Sequence, residues 1–328
     1  MRKTALLFLS AVVVAVLVAG SSYAQAPRAA NARASSTSDA GTVPVTTTVT
    51  VLSPNFTAPP ALSKDDIAVY SRNTRANVAS FEPVRGAKAG LQLAILIDDD
   101  ASPTALGSHF QEIKDFIAAQ PSTTEVGIYY ASSGSAQPAA KFSSDHQAVV
   151  KKLRLPLGRF AGTSPSVYLS LKDLARNWPQ NDMRHEVLMI ASGIDRLHPG
   201  LQSPYVDQAV EQVQKSGVVV HTIYTGGFRL ANSFEQNIAW RNLSRVAEDS
   251  GGQQFFQGFE TPVDFMPIFR QLNNALGNQY VLTIDMPRTS HRKGELMPIK
   301  IRTEQRNLRL SYASQVFVPG PASARAGY

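Results

Sequence analysis

An apolar run that ends in three consecutive aspartates constrains the fold of this chain more than any other feature. The run is LQLAILIDDDAS, residues 91–102. Short apolar runs bounded by turn signals are typical of buried strands. Ser102 and Pro103 suit the N-cap and the first position of a helix that follows. Because ligands of open α/β sheets lie beyond the carboxyl ends of the strands, Asp98, Asp100 and Ser102 are predicted to cluster at a strand-to-helix turn.

The aspartate turn concentrates negative charge in a small volume. Neighbouring carboxylates repel one another, and a cation or a hydrogen-bonding ligand relieves that repulsion. Hard divalent cations such as Mg²⁺ take oxygen ligands, which this turn supplies. The pattern therefore indicates a candidate cation site.

Strand-like and helix-like segments alternate through the middle of the chain, from residue 89 to residue 278. Further buried strands are predicted at 125–131, 186–191 and 218–224. One helix after the aspartates is predicted to carry Leu106, Phe110, Ile113 and Ile117 on a single apolar face. A loop rich in Ser, Gly and Ala is expected before a short strand at Lys141–Phe142. Such alternation favours an α/β domain with a mainly parallel sheet covered on both faces.

The two flanks of this domain have the periodicity of strands. In residues 43–88, Val45, Val49 and Val51 alternate with threonines, and two more candidate strands follow. Residues 279–318 contain three further candidates. We expect both flanks to combine in a small β-rich appendage. Residues 319–328 have the character of a loose tail.

The N-terminus has the pattern of a secretory signal peptide over residues 1–24. Arg2 and Lys3 precede the apolar segment Ala5–Ala19, and a Ser22-x-Ala24 cleavage site follows. Residues 25–42 are predicted to be a disordered leader. The expected location is periplasmic or extracellular, without a transmembrane span after cleavage. An uncleaved N-terminal anchor is the alternative.

Composition excludes several classes of site. The chain has no cysteine, so disulfides, thiolate metal sites and a cysteine nucleophile are ruled out. The six histidines are scattered without metal-type spacing, and no serine-hydrolase or nucleotide-binding motif is present. The formal net charge is +7, but no nucleic-acid motif accompanies it, so no nucleic-acid partner is expected. Weak attraction to an anionic cell envelope stays open.

Two further segments are positioned to reach the aspartate turn. Gly162-Thr163 precedes a predicted helix, and Ser192-Gly193 follows a buried strand. With these segments the sequence resembles the von Willebrand factor A (VWA) domain, and more closely the bacterial secreted VWFA-related group. The flanking segments match as well: VTVLSPN, KDDIAVY and FEPV before the domain, and LSRVAEDSGGQQF and QYVLTI behind the aspartates. The resemblance extends from about Val43 to Pro319.

The resemblance implies a Rossmann-like fold with a metal-ion-dependent adhesion site above the sheet. The family pattern is D-x-S-x-S after the first strand, a Thr in a later loop and an Asp after the fourth strand. Asp98, Ser102 and Thr163 match this pattern. Asp100 stands where the family has Ser, and Ser192 stands where it has Asp. The site implied is therefore degenerate, with Asp98, Asp100, Ser102, Thr163 and Ser192 as the metal ligands and Mg²⁺, or Mn²⁺ or Ca²⁺, as the cation.

With Asp100 in place of Ser and Ser192 in place of Asp, the site keeps two carboxylates. One of them has moved from the fourth-strand turn to Asp100. Mg²⁺ demands nearly octahedral geometry at short distances, and a charged Asp100 in place of a serine disturbs it. It also reduces the attraction of the cation for an acidic ligand. Weaker or altered adhesion through the metal is the consequence.

Three functions remain open from the sequence. The first is a secreted, non-enzymatic protein-binding domain whose partner offers an acidic side chain. The second is a metal-free envelope scaffold or assembly module that docks through the same loops. The third is a haloacid-dehalogenase-like phosphatase with Asp98 as nucleophile, since D-x-D-x-S resembles the first motif of that family. Against the third, the strand at 218–224 ends in Thr225-Gly226-Gly227, without the carboxylate that such enzymes need for their metal.

Overall fold

Two β-sheets organise the computed structural model of the chain. It describes residues 41–54, 59–158, 166–226, 233–256, 258 and 260–321. The predicted signal peptide and almost all of the predicted leader, like most of the predicted C-terminal tail, lie outside the described residues. No helix in the described part of the chain is long and apolar enough to span a membrane.

The first sheet has six strands in the order β6-β5-β4-β7-β8-β9. Their bounds are β4 (Leu91–Asp98), β5 (Thr124–Ser132), β6 (Ser135–Ser143), β7 (Arg184–Ala191), β8 (Val218–Tyr224) and β9 (Gln254–Phe255). All neighbours are parallel except β5 and β6, which form an antiparallel pair at one edge. Every residue of β4 is buried, as its continuous apolar sequence predicts for a strand inside a parallel sheet. The predicted mainly parallel sheet is confirmed.

Helices cover both faces of this sheet. They are α1 (Pro103–Gly107), α2 (Phe110–Ala118), α3 (His146–Val150), α4 (Val167–Arg176), α5 (Pro204–Lys215), α6 (Ser233–Ser250) and α7 (Met266–Gly277). One apolar core joins the sheet to α4, α5 and α6 through residues such as Leu171, Val210 and Leu243. The other joins it to α2, α3 and α7 through Ile113 and Phe269.

Two local predictions were wrong. The helix expected after the aspartates is interrupted at Ser108 and His109, because Gly107 and Ser108 favour a break and the ring of His109 stacks on Phe265 with centroids 4.1 Å apart. The region expected to be a loop is largely strand β6. A tight turn at Ser133 and Gly134, both with positive φ, lets it pair back onto β5.

The second sheet is antiparallel and has the strand order β12-β1-β10-β3-β2-β11-β13. Its strands are β1 (Thr42–Leu52), β2 (Ile67–Ser71), β3 (Thr74–Pro83), β10 (Gln279–Pro287), β11 (Glu295–Thr303), β12 (Arg309–Tyr312) and β13 (Gln315–Val318). Strands from the two flanks therefore alternate in one sheet, which has its own core around Val49, Phe81 and Leu282. The predicted appendage is confirmed, and β13 is a strand that the sequence did not predict.

Polar contacts join the appendage to the α/β domain. Ser314, between β12 and β13, donates from its backbone N to the carbonyl of Asp249 at the end of α6, and its hydroxyl donates to the Asp249 carboxylate at 3.0 Å. At the amino ends of the parallel strands, Arg184 donates to the side chain of Gln279, which in turn donates to Thr50. These contacts leave the carboxyl ends of the parallel strands uncovered by the appendage.

Candidate functional site

Asp98 is the last residue of β4 and is buried at the carboxyl end of the parallel sheet. Its Oδ1 accepts a hydrogen bond from the backbone N of Asp100 at 3.2 Å. Its Oδ2 accepts one from the hydroxyl of Ser192 at 3.4 Å. Both bonds are long for a carboxylate acceptor, so its charge is incompletely compensated.

Ser192 reaches Asp98 because β7 lies directly beside β4. It follows the last residue of β7, and Gly193 then turns the chain with a φ of 72°. The buried hydroxyl of Tyr168 on α4 donates to the carbonyl of Gly193 at 2.8 Å and fixes this turn. Two segments that lie 94 residues apart in sequence therefore meet at one sheet edge.

The strand order and the helices on both faces give the α/β domain a Rossmann-like fold, whose parallel strands bring Asp98 and Ser192 together at the carboxyl edge. This is the fold that the resemblance to the VWA domain implies. We call the α/β domain the VWA-like domain below.

Burial is the main influence on the Asp98 carboxyl group. Loss of solvation, together with the charge of Asp100, raises the pKa of Asp98 to about 6, against weaker opposing effects of the hydrogen bonds from Asp100 and Ser192. With a pKa of about 6 the carboxyl group is mostly ionised at neutral pH, and a nearby positive charge would stabilise the ionised form further.

Asp100 and Ser102 line the outer side of the same turn. Asp100 is half-buried, and within the described residues no donor lies at hydrogen-bond distance from its carboxylate. Ser102 is exposed and caps α1, its Oγ accepting from the backbone N of Ala105 at 3.3 Å. The capping role leaves one lone pair of the hydroxyl for another interaction.

Thr163, the remaining ligand implied by the sequence, lies outside the described residues. Four of the five predicted ligands can therefore be located. Among them, the hydroxyl of Ser192 contacts Asp98 directly, and Asp100 contacts it through its backbone N.

Asp99 is a structural member of the site that sequence reasoning did not place. It is buried and forms a bidentate ion pair with Arg154, at 2.6 Å for Nη1–Oδ1 and 2.9 Å for Nη2–Oδ2. Its Oδ1 also accepts from the backbone N of Leu157 at 3.0 Å. The guanidinium of Arg154 lies 3.7 Å from the ring centroid of Tyr130, and the Tyr130 hydroxyl hydrogen-bonds to the Arg154 backbone. Asp99 thus holds the segment 154–158 at the edge of the site.

Asp195 has a similar structural role on the opposite side. It is buried, and its carboxylate accepts from the hydroxyl of Ser203, the N-cap of α5, and from the backbone N of Leu197 at 3.2 Å. Each of these two aspartates therefore anchors a loop. Nothing in the sequence indicated that Asp99 and Asp195 have structural roles.

Exposed apolar side chains gather at the carboxyl edge of the sheet. Among the described residues seven large hydrophobic side chains are exposed, and all seven lie at this edge: Leu155, Leu157, Leu197, Leu201, Phe234, Val263 and Met266. Five lie in the loops after β7 and β9 or on the first turns of α6 and α7, and the other two belong to the segment that Asp99 holds. We call this set the apolar rim. Exposed apolar groups concentrated in one region mark interaction sites.

Within the described residues no group of three or more His, Cys, Asp or Glu side chains is arranged to hold a metal ion. Any cation at this edge would therefore depend on hydroxyl oxygens as well as on Asp98 and Asp100. Such a mixed oxygen set is compatible with Mg²⁺ or Ca²⁺ and not with softer metals.

Comparisons with solved structures give several similar folds. An aerotolerance-related membrane protein from Bacteroides fragilis is 15% identical, with 57% of this chain and 98% of that chain covered and a TM-score of 0.43. BatB from Bacteroides thetaiotaomicron is 13% identical over 57% of this chain and 98% of that chain, with a TM-score of 0.41. A von Willebrand factor type A protein from Catenulispora acidiphila is 8% identical over 86% of this chain and 75% of that chain, also with a TM-score of 0.41. No protein-family model and no curated protein matches the sequence.

Proposed function

We propose that this chain is an exported, non-enzymatic protein-binding module that docks its partner on the carboxyl edge of the VWA-like domain. The observation that carries the proposal is the apolar rim around Asp98. Leu201 and Val263 are 61% and 94% exposed. Exposing such side chains to water is unfavourable, and a partner that covers them removes that cost.

The position of the rim distinguishes docking from chance exposure. Protein surfaces carry scattered apolar residues, which need no explanation. Here the large exposed apolar residues among the described ones are confined to the carboxyl edge. The helical faces of the VWA-like domain and the appendage have none. The Asp99–Arg154 ion pair and the Asp195–Ser203 bond hold two of the contributing loops in place, so the surface is largely pre-organised.

The donor set at this edge fits a divalent cation. Asp98 and Asp100 would supply the charge, and the hydroxyls of Ser102 and Ser192 would supply neutral oxygens. A bound cation would offset the desolvation and the repulsion from Asp100 that raise the pKa of Asp98, and it would offer a coordination position to a carboxylate of the partner. In this proposal the cation adds to the affinity that the rim provides.

A metal-free docking surface is the second candidate. The hydrogen bonds from Ser192 and from the backbone of Asp100 already give both oxygens of Asp98 a donor. The carboxyl group can therefore persist at this edge without a cation, particularly in its protonated form. The apolar rim is unchanged in this case.

The phosphatase alternative gains no support from the geometry. Such an enzyme needs a further acidic residue at the end of a neighbouring strand to hold its metal. Strand β8 ends at Tyr224 and is followed by Thr225 and Gly226, neither of which carries charge. Hydrolysis of p-nitrophenyl phosphate by the wild type, abolished in Asp98→Asn, would establish this alternative and overturn the proposal.

The decisive experiment is cross-linked capture from an extract of the source cells, with and without a chelator. We expect a partner to be lost with Leu197→Ser/Leu201→Ser and kept with Arg306→Ser/Arg309→Ser, a pair of exposed residues on the appendage. Calorimetric titration with Mg²⁺, Mn²⁺ and Ca²⁺, with Asp98→Ala as the control, then separates the two candidates. Capture that is insensitive to the rim variant would refute docking at this edge.

A further inference from the structure

The appendage has a net positive charge, whereas the VWA-like domain has a net negative one. Residues 41–88 and 279–321 contain 12 Lys and Arg against 6 Asp and Glu, whereas residues 89–278 contain 15 against 18. Of these two parts of the chain, only the appendage is basic. A one-sided charge of this kind affects which partners each part attracts.

Part of this charge lies on one face of three neighbouring strands. In the sheet register Lys300 of β11 lies opposite Tyr70 of β2, and Tyr70 lies opposite Arg75 of β3. Residues directly opposite one another in an antiparallel pair point to the same face. Arg302, two positions along β11 from Lys300, points to that face as well. We call Arg75, Lys300 and Arg302 with Tyr70 the cationic face.

The three cations of this face lack anionic partners. Arg75, Lys300 and Arg302 are exposed, and among the described residues none has a carboxylate within ion-pair distance. Lys300 and Arg75 are separated by one strand, a spacing of roughly 10 Å between backbones. Like charges held this close repel, and an anionic ligand would remove the repulsion.

A shallow depression lies on this face beside Tyr70, Lys300 and Arg302. It has a volume of about 420 Å³ and is lined by Tyr70, Arg72, Asn73, Pro298, Lys300 and Arg302. The guanidinium of Arg302 lies 5.5 Å from the ring centroid of Tyr70, which places charge beside an aromatic surface. The volume falls in the range of small-ligand sites, but the depression is open to solvent on one side.

We propose that the cationic face of the appendage binds an acidic polysaccharide. A linear chain with a negative charge on each sugar can meet several cations at once, and the ring of Tyr70 offers an apolar platform for the face of one sugar. The open depression accommodates one unit of a chain that continues beyond it. This surface is separate from the apolar rim, so the proposal does not depend on protein docking at Asp98.

Two other polyanions fit the face less well. A surface that inserts into an anionic bilayer presents apolar side chains beside its cations. None of the seven large exposed hydrophobic residues among the described ones lies on the appendage. Single-stranded nucleic acid is bound by several aromatic platforms in succession, whereas this face has Tyr70 alone among the four residues that define it.

The test measures binding of the full chain to fluorescent polygalacturonate, with dextran as the neutral control. We expect salt-dependent binding that falls at least tenfold in Arg75→Gln/Lys300→Gln/Arg302→Gln and severalfold in Tyr70→Ala. The matched control is Lys151→Gln/Lys152→Gln/Arg270→Gln, which removes the same charge from exposed positions on the VWA-like domain. It should change affinity less than twofold.

Three results would overturn the proposal. One is an equal loss of affinity in the two triple variants, which would mean a diffuse charge effect. The others are stronger binding to vesicles containing phosphatidylglycerol, or to oligo(dT), than to polygalacturonate. Because the cationic side chains are exposed, the thermal midpoints of the two triple variants should stay close to that of the wild type. A large decrease would shift the test to the single variant Lys300→Gln.

Discussion

Asp99 and Arg154 form a bidentate ion pair, with the carboxylate buried and the guanidinium partly exposed. The pair joins the end of β4 to a loop 55 residues further along the chain. Asp98 and Asp99 are adjacent, yet they differ completely in surroundings. Asp99 has a cation and a backbone donor, whereas Asp98 has hydrogen bonds from Asp100 and Ser192 but no cation among the described residues. Asp99 therefore stabilises the edge of the site, and the carboxylate of Asp98 is available to a ligand.

Removing the Asp99 charge should loosen the loop 154–158. We expect Asp99→Asn to lower the free energy of unfolding by about 1–3 kcal/mol, because a buried bidentate acceptor is lost. Urea denaturation measures the change. The exposed Asp182→Asn, which has no ion pair among the described residues, should stay within about 0.5 kcal/mol of the wild type. Equal stability of Asp99→Asn and Asp182→Asn would show that the Asp99–Arg154 pair does not stabilise the fold.

Asp98 should make stability depend on pH in the absence of metal. Its folded pKa of about 6 is above the ordinary value of 3.8, so the folded chain binds this proton more tightly than the unfolded chain. The stabilisation is complete below pH 3.8 and is lost as the pH rises through 6. At pH 7.5 with a chelator, Asp98→Asn should therefore be more stable than the wild type, by up to about 3 kcal/mol. The difference between the two proteins should shrink at pH 5, and a difference independent of pH would contradict the assignment.

Gly193 should tolerate no side chain beside Ser192. A Cβ at this position would lie 2.7 Å from the carbonyl oxygen of Ala239 on α6, and the φ of 72° is itself unfavourable for alanine. Gly217 has a φ of 63° but no atom within 4 Å of the same point. We expect Gly217→Ala to cost about 1 kcal/mol and Gly193→Ala about 1–3 kcal/mol more. The free energies of unfolding of both variants are measured with denaturant. Their difference gives the cost of the contact with α6.

A buried pair at the other end of the sheet should be sensitive to truncation. His221 accepts from the backbone N of Gln253 at Nδ1, so its Nε2–H donates to Glu186 at 2.8 Å, and both side chains are fully buried. Among the described residues, His221→Ala leaves this carboxylate with Arg184 at 3.6 Å as its one remaining side-chain partner, and the change should cost about 3–5 kcal/mol. His198→Ala, at an exposed position, is the control. A double-mutant cycle with Glu186→Gln should give a coupling energy well above 0.5 kcal/mol.

Much of the fold was predictable because its signals are local. The apolar run at 91–97 is buried throughout, and the Ser-Pro pair caps and opens a helix as its chemistry requires. The break at Ser108 was missed because the apolar spacing continues across it. Strand β6 was missed because Ser, Ala and Pro have little strand preference, and its hydrogen bonds come from β5.

The sequence by itself determined that oxygen side chains follow a buried strand and that β segments from both flanks form one appendage. Only the tertiary structure decided that Asp99 is paired with a cation and that Asp98 is not, because Arg154 and Ser192 belong to segments distant in sequence. The position of the apolar rim was decided in the same way. Each of its residues is unremarkable in sequence, and their common location follows from the parallel strands, which bring the ends of β7, β8 and β9 to one edge.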